Sequence, residues 1–374
     1  MTSSADVAHA EGAVPVPLAD LARRTDVATR TALRRTLDDL GPSSLLEPLE
    51  GAALQAASGG KRLRGTFAFI GAAIADGLPA GDAEVDPLAA ALELYQASAL
   101  AHDDLIDHSS TRRGRPTPHV LFATQHRAAG WWGSAEEYGV AGAVLVGDLL
   151  LSAADHTVAR AARDLGHRRG CDLLGRFTLM HAEVALGQYL DVRAEQVPLD
   201  AEDPTAVRLA DTLEVVRRKS ARYSVVHPLA LGVIAGGGDA DLLAAVESVT
   251  GPWGTAFQLR DDDLGVFGEP GATGKPAGGD LLEGKRTPLL ALTWKRADPA
   301  ERRELAAGLG QSGVTAEQLA RMVDIVGRRG RGAHEAMISG LVDEGGRALV
   351  DAGLEPRATA LLAGLGDLLT RRRA

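Results

Sequence analysis

Asp103 and Asp107 stand four residues apart in the stretch Pro87 to His108 (PLAAALELYQASALAHDDLIDH), which is built of helix formers and has no internal breaker. Residues at that spacing share one helical face, so two carboxylates point the same way. Like charges so placed cost roughly a few tenths of a kcal/mol, and a solvent face would ordinarily interleave Lys or Arg. A hard cation bridging them removes the repulsion. Mg²⁺ suits the pair, because it takes oxygen ligands from one or two carboxylates and completes its shell with water and substrate phosphate. The plain alternative is a solvated helix end capped by Asp.

Context favours the phosphate reading. Arg112 and Arg113 follow the acids, then Gly114-Arg115-Pro116-Thr117, and guanidinium forks match phosphate oxygens. A second acidic group, Asp261-Asp262-Asp263, lies in Phe257 to Gly268 (FQLRDDDLGVFG), with Asp261 and Asp262 leading it. After it come Thr273-Gly274-Lys275-Pro276, Gly278-Gly279-Asp280 and Gly284-Lys285-Arg286-Thr287. Such a glycine-rich, cationic loop can close over a diphosphate whose charge the metals only partly neutralise. The third basic element is Ser58-Gly59-Gly60-Lys61-Arg62-Leu63-Arg64-Gly65, where glycines let the backbone approach a ligand while Lys61 and Arg64 supply charge. Taken singly, each basic element also reads as a surface turn.

These residues need helices to present them. Of the 374 residues 45% are hydrophobic and only 4% aromatic, and Ala, Leu, Gly and Arg prevail over strand-favouring runs. An all-α fold follows. Apolar residues recur at helical spacing, broken by clusters at Gly59-Gly60, Gly77 to Gly81, Gly114 to Pro118, Gly236 to Gly238 and Pro270 to Gly279. That pattern gives about ten to thirteen helices. No strand-period segment, internal repeat or domain-separating linker is visible, so residues 18–374 read as one helical domain. Residues 1–17 mix small, polar and proline residues without periodicity and read as a disordered N-terminal tail.

The formal charge of −10 excludes broad nucleic-acid binding, which needs a basic face. One cysteine, Cys171, forms no internal disulfide and fits a reducing compartment. No signal peptide and no uninterrupted apolar span of ~20 residues is present, so the expected protein is cytoplasmic without stable membrane insertion.

Together GGKRLRG, HDDLID with RRGRPT, GQYLD at Gly187 to Asp191, KSARY at Lys219 to Tyr223, and FQLRDD with TGKP resemble the trans-isoprenyl diphosphate synthases, or polyprenyl synthetases. The match covers roughly residues 45 to 290. It implies an all-α bundle around a deep central cavity, usually homodimeric, that joins isopentenyl diphosphate to an allylic diphosphate. By that resemblance Asp103, Asp107 and Asp261 hold Mg²⁺, three ions with diphosphate bound, on the allylic substrate, helped by Arg112, Lys219 and Lys275, and Lys285 also binds substrate. Isopentenyl diphosphate meets Lys61, Arg64, Arg113, Arg62 and Gln96. Gln96 stands where many relatives carry His, and it keeps a hydrogen-bond donor.

In the implied chemistry, cations stabilise departing diphosphate, the alkene attacks the allylic cation, and released diphosphate takes the proton. Lys219, Ser220 and Gln258 would line the reacting segment, in an apolar, water-poor cavity. One departure matters: the family's last Asp of the second motif is replaced by Gly265. Asp261 remains as ligand, with Asp263 or Asp280 contributing through water. A non-catalytic or regulatory subunit is therefore an alternative reading, and a class I terpene cyclase is another, although the Asn/Asp-Ser-Glu metal motif it needs is missing.

A helix rises ~5.4 Å per turn, close to one isoprene unit, so residues before Asp103 can floor the growing chain. Ser98 and Ala99, one turn back, are small; Tyr95, two turns back, is bulky. The expected product is geranylgeranyl diphosphate with Tyr95 as the stop, unless Tyr95 faces another helix. His102 and Trp131-Trp132 read as packing residues.

Overall fold

The computed structural model describes residues 18–76, 85–268 and 277–370. The N-terminal segment 1–17, the clusters around Gly77 to Gly81 and Pro270 to Pro276, and Arg371 to Arg373 lie outside the described residues.

Among the described residues the protein is all-α apart from one hairpin of two-residue strands. Fourteen continuous helices follow one another: α1 Leu18–Leu40, α2 Glu47–Ala56, α3 Leu63–Asp76, α4 Asp86–Ile106, α5 Pro118–Ala129, α6 Ala135–Asp164, α7 His167–Gln196, α8 (209–235), α9 Ala240–Phe267, α10 Gly279–Glu283, α11 Pro288–Arg296, α12 Pro299–Gly308, α13 (316–351) and α14 Pro356–Thr370. The strands β1 Thr111–Arg112 and β2 Arg115–Pro116 pair antiparallel between α4 and α5. Helices α8 and α13 carry π-helical stretches, Val216–Val226 and Gly327–Arg331. The expectation of ten to thirteen helices falls one short, because the five-residue α10 is too brief for periodicity to reveal.

The described residues group into two compact units, one drawn from 18–177 and 228–239 and the other from 178–227 and 240–370. Two of the three divisions fall within α7 and α8, and the third lies in the loop after Gly236 to Gly238.

In the first unit α4 is the central helix, buried almost continuously from Leu88 to Tyr95. Helix α1 presents Leu21, Thr25, Thr29, Leu33 and Thr36 inward at three- and four-residue spacing. Its buried threonines donate to carbonyls one turn back, Thr29 to Thr25 at 2.7 Å, so no hydroxyl is stranded. Helix α6 is long and apolar enough to cross a membrane, yet Gly139, Gly142 and Gly147 seat its inner face close against α5 and α4. Its outer face exposes Val140, Val144 and Leu145. Trp131 joins an aromatic cluster with His126 and Tyr138, as expected of a packing residue, whereas Trp132 is fully exposed.

In the second unit α9 packs against the π-helical part of α8 and the second half of α13. Trp253 beside Pro252 fills the space left by Gly345 and Gly366 and donates to the Val342 carbonyl at 3.2 Å. A second cluster, built on Trp294, Leu289, Val266 and Met322, closes around α11.

Candidate active site

In the first unit, the acidic end of α4 carries Asp103 and Asp107, both half-buried. The Asp107 N–H donates to the Asp103 carbonyl at 2.8 Å, so Asp107 is the capping residue of α4 and keeps helical register with Asp103. Asp104 points elsewhere. It is 2% exposed and accepts Nε of Arg112 at 2.9 Å and a second bond from Arg112 Nη2. The ion pair fixes Arg112 beside the aspartates.

Arg112 sits in the small hairpin, whose turn residues Arg113 and Gly114 both have positive φ, 53° and 72°. Two such residues in sequence make the two-residue turn that matches strand twist. The Arg113 guanidinium lies across Gly60 (φ 94°), where a Cβ would come within 3.1 Å of Nη1, and donates to the Ser58 carbonyl at 2.7 Å. Gln55 ties to the hairpin through the Pro116 carbonyl at 3.1 Å. Together these groups enclose a cavity of about 310 Å³ bounded by Gln55, Ser58, Gly60, Asp104, Arg112, Arg113 and Arg115. Burial, and then the positive charge of Arg62 and Arg112, holds Arg113 below its ordinary pKa. An entering anion would relieve that repulsion.

Lys61 is exposed and Arg64 and Gln96 are half-buried, so all three have side-chain surface to offer a ligand. Arg62 is placed differently. It is 4% exposed, has φ 52°, and donates to Asp26 at 2.6 Å and to the Ala57 carbonyl at 2.6 Å, with Glu93 at 3.5 Å. Glu93 also accepts the Gly65 N–H at 3.1 Å. The side chain expected to touch substrate is thus occupied in shaping the glycine loop.

Along α4, Ser98 is buried, Ala99 half-buried and Tyr95 6% exposed. The Tyr95 ring meets Phe177 edge-on at 6.4 Å, and burial raises its hydroxyl pKa. His102 packs on Gly147 of α6, 3.6 Å from Asp148, as its packing role requires.

In the second unit Lys219 and Ser220 lie in the π-helical stretch of α8, an irregularity common at functional sites. A Cβ on Gly187 would fall 2.7 Å from the Lys219 Cα, so α7 and α8 meet backbone to backbone there. Lys219 Nζ contacts Asp191 at 2.6 Å. The motifs GQYLD and KSARY therefore form one structural unit. Gln258 Nε2 donates to Asp262 Oδ1 at 2.9 Å, Asp261 is half-buried, and Lys285 contacts Glu283 at 2.9 Å. Lys275 lies outside the described residues. Asp263 is 2% exposed and gripped by Arg331, 2.9 Å from each nitrogen. Burial, and then the charges of Asp280 and Asp261, push the Asp262 carboxyl well above the usual range, against the Gln258 bond.

Among the described residues no three His, Cys, Asp or Glu side chains converge to hold a cation unaided. Mg²⁺ does not require that, since one or two carboxylates with water and substrate phosphate suffice. The donors of α4 fit such a cation: both are hard oxygens, and Asp103 and Asp107 share a helical face. Asp104, Glu93, Asp26, Asp191 and Asp262 were the supporting residues to find. Only Asp104 and Asp262 had a local signal, as neighbours of the presumed ligands; the others act across 28 to 36 positions.

Residues 47–326 match the family described as polyprenyl synthetase. The chain belongs to that family. As a polyprenyl synthetase it is a trans-prenyltransferase. It is 31% identical over 319 residues to the geranylgeranyl diphosphate synthase of Mycobacterium tuberculosis, covering 85% of this chain and 81% of that one. A geranylfarnesyl diphosphate synthase of Aeropyrum pernix is 32% identical over 270 residues, 72% of this chain and 76% of its own. Among solved structures, the geranylgeranyl pyrophosphate synthase of Corynebacterium glutamicum complexed with isoprenyl diphosphate and magnesium superposes with TM-score 0.81 at 34% identity, covering 94% of this polyprenyl synthetase and 99% of that chain. The all-α architecture is accordingly the isoprenoid synthase fold.

Proposed function

We propose that this polyprenyl synthetase condenses isopentenyl diphosphate with an allylic diphosphate to make the twenty-carbon geranylgeranyl diphosphate. The observation that carries the product assignment is the geranylgeranyl synthase name shared by the Mycobacterium relative and the Corynebacterium structure. Asp103, Asp107 and Asp261 hold Mg²⁺, three ions when diphosphate is bound. Bound Mg²⁺ supplies electrostatic stabilisation of the charge that develops on the leaving diphosphate.

The chain's own residues do the rest. Arg112, held by Asp104, and Lys219, held by Asp191, grip the allylic diphosphate as preorganised cations, with Lys275 and Lys285 adding charge from the glycine-rich segment. Lys61, Arg64, Arg113 and Gln96 bind isopentenyl diphosphate. Arg62 keeps the Gly59-Gly60 turn in shape. Ser220 and Gln258 turn oxygen dipoles toward the allylic cation, and the released diphosphate accepts the proton lost on coupling. Tyr95 floors the chain, past the small Ser98 and Ala99.

The protein works in the cytoplasm as a homodimer; the exposed Val140, Val144 and Leu145 on α6 support an apolar subunit contact. Incubating the purified chain with Mg²⁺, radiolabelled isopentenyl diphosphate and geranyl or farnesyl diphosphate tests the reading. A twenty-carbon alcohol after dephosphorylation is expected. Cyclised hydrocarbon, or no elongation with any primer, would overturn it.

A further inference from the structure

The hairpin between α4 and α5 carries three guanidiniums, those of Arg112, Arg113 and Arg115. Arg112 is paired with Asp104. Arg113 and Arg115 bond instead to neutral oxygens of a single residue, Ser58: Arg113 Nη1 donates to its carbonyl at 2.7 Å and Arg115 Nη1 to its Oγ at 3.0 Å. Among the described residues neither is paired with a carboxylate.

Ser58 is oriented to receive both. Its N–H and its hydroxyl donate to the Gln55 carbonyl at the end of α2, at 3.1 and 2.7 Å. The hydroxyl's one proton is committed there, which leaves its lone pairs to accept Arg115. Gln55 donates in turn to the Pro116 carbonyl at 3.1 Å, tying the residue after Arg115 to the same helix. Gly60 completes the seat, because a Cβ there would come 2.6 Å from Arg113 Nη2 and 2.9 Å from Cζ. Arg113 itself holds φ 53°, a conformation that is costly outside glycine and persists where surrounding contacts fix it. Two guanidiniums drawn onto one neutral residue repel each other, yet each keeps most of its five N–H donors for a ligand. Both border the cavity of about 310 Å³. A diphosphate converts that repulsion into attraction, since its oxygens match two planar forks.

We infer that Arg115 is a further binding residue for the diphosphate of isopentenyl diphosphate, and that Ser58 is the positioning residue that sets Arg115 beside Arg113. The inference rests on reading Arg113 as an isopentenyl diphosphate contact. Ser58 fixes two long side chains before the ligand arrives, so less rotamer freedom is lost on binding.

The test is calorimetric titration of isopentenyl diphosphate into the full chain without Mg²⁺, which keeps diphosphate off the aspartates, together with KM for each substrate when Mg²⁺ is present. Arg115→Ala loses a charge-assisted contact and should bind roughly tenfold more weakly. Its KM for isopentenyl diphosphate should rise in step, without moving KM for the allylic substrate or the melting temperature. Ser58→Ala keeps the carbonyl that holds Arg113 but removes the hydroxyl that seats Arg115, so it should weaken binding too, whereas Ser58→Thr should restore it. The double variant Ser58→Ala/Arg115→Ala should be no worse than Arg115→Ala alone. Wild-type affinity in Arg115→Ala, with Arg113→Ala impaired, refutes the Arg115 assignment and leaves the Arg113 reading standing. Additive losses in the double variant refute the positioning role of Ser58. If Arg113→Ala also binds as the wild type does, or the wild-type chain takes up no isopentenyl diphosphate, the Arg113 reading falls and the inference with it.

Discussion

Lys219 Nζ lies 2.6 Å from Asp191 Oδ2, joining the π-helical turn of α8 to the GQYLD segment of α7 where Gly187 lets the two backbones touch. Both side chains are mostly buried, so the carboxylate orients the ammonium rather than decorating a surface. Asp191→Ala should therefore lower kcat about tenfold by freeing Lys219, with the melting temperature little changed. Lys219→Ala and the double variant should lose no more than one another, and a double-mutant cycle on kcat/KM should show coupling above about 1 kcal/mol. Strict additivity would show that the pair acts independently.

Arg62 is buried among Asp26, Glu93 and the Ala57 carbonyl. Arg62→Ala strands those acceptors and should destabilise the protein by about 3 kcal/mol in chemical denaturation. Arg62→Lys recovers only part, because an ammonium lacks the planar fork. If Arg62→Ala keeps its stability and changes only KM for isopentenyl diphosphate, Arg62 is a substrate residue after all.

Tyr95 stands eight residues, ~12 Å of helix, before Asp103. Tyr95→Ala should yield products of twenty-five carbons or more, and Ala99→Phe should shift output toward fifteen, both read by reversed-phase chromatography. An unchanged twenty-carbon product from Tyr95→Ala would mean that its contact with Phe177 is its whole role.

Acid should destabilise the fold in two stages. His334 is fully buried with neither ring nitrogen bonded, and burial lowers its pKa to about 4; His181 is lowered to about 4 for the same reason. The unfolded chain takes up these protons near pH 6.5 and the folded chain only near 4, so stability present above pH 6.5 is lost on the way down. For His334 the loss is on the order of 3 kcal/mol. Glu183 is opposed by burial but held down to about 2 by hydrogen bonds from His227 and Arg222, so its contribution, present above pH ~4.5, is lost as pH falls toward 2. His334→Leu should flatten the melting-temperature profile between pH 6.5 and 4, and Glu183→Gln the part below. A profile unaltered by His334→Leu would contradict the first stage.

How much of this was legible beforehand differs by residue. Asp103 and Asp107, Arg112 and Arg113, and the glycines before Lys61 stand in local patterns, and local patterns report chemistry because helix pitch and turn geometry are set by near neighbours. The helical class was legible for the same reason. The roles of Arg62 and Asp191 were not. A motif shows which residue types lie close along the chain, but not whether a guanidinium is already satisfied by Asp26 and Glu93, or whether a lysine is oriented by an acid 28 positions away. The two compact units were equally hidden, since two of their three divisions run through continuous helices. The sequence by itself determined the reaction class and the residues that carry charge. Only tertiary packing decided which of those charges are free to meet a ligand, because burial and pairing depend on segments brought together by the core.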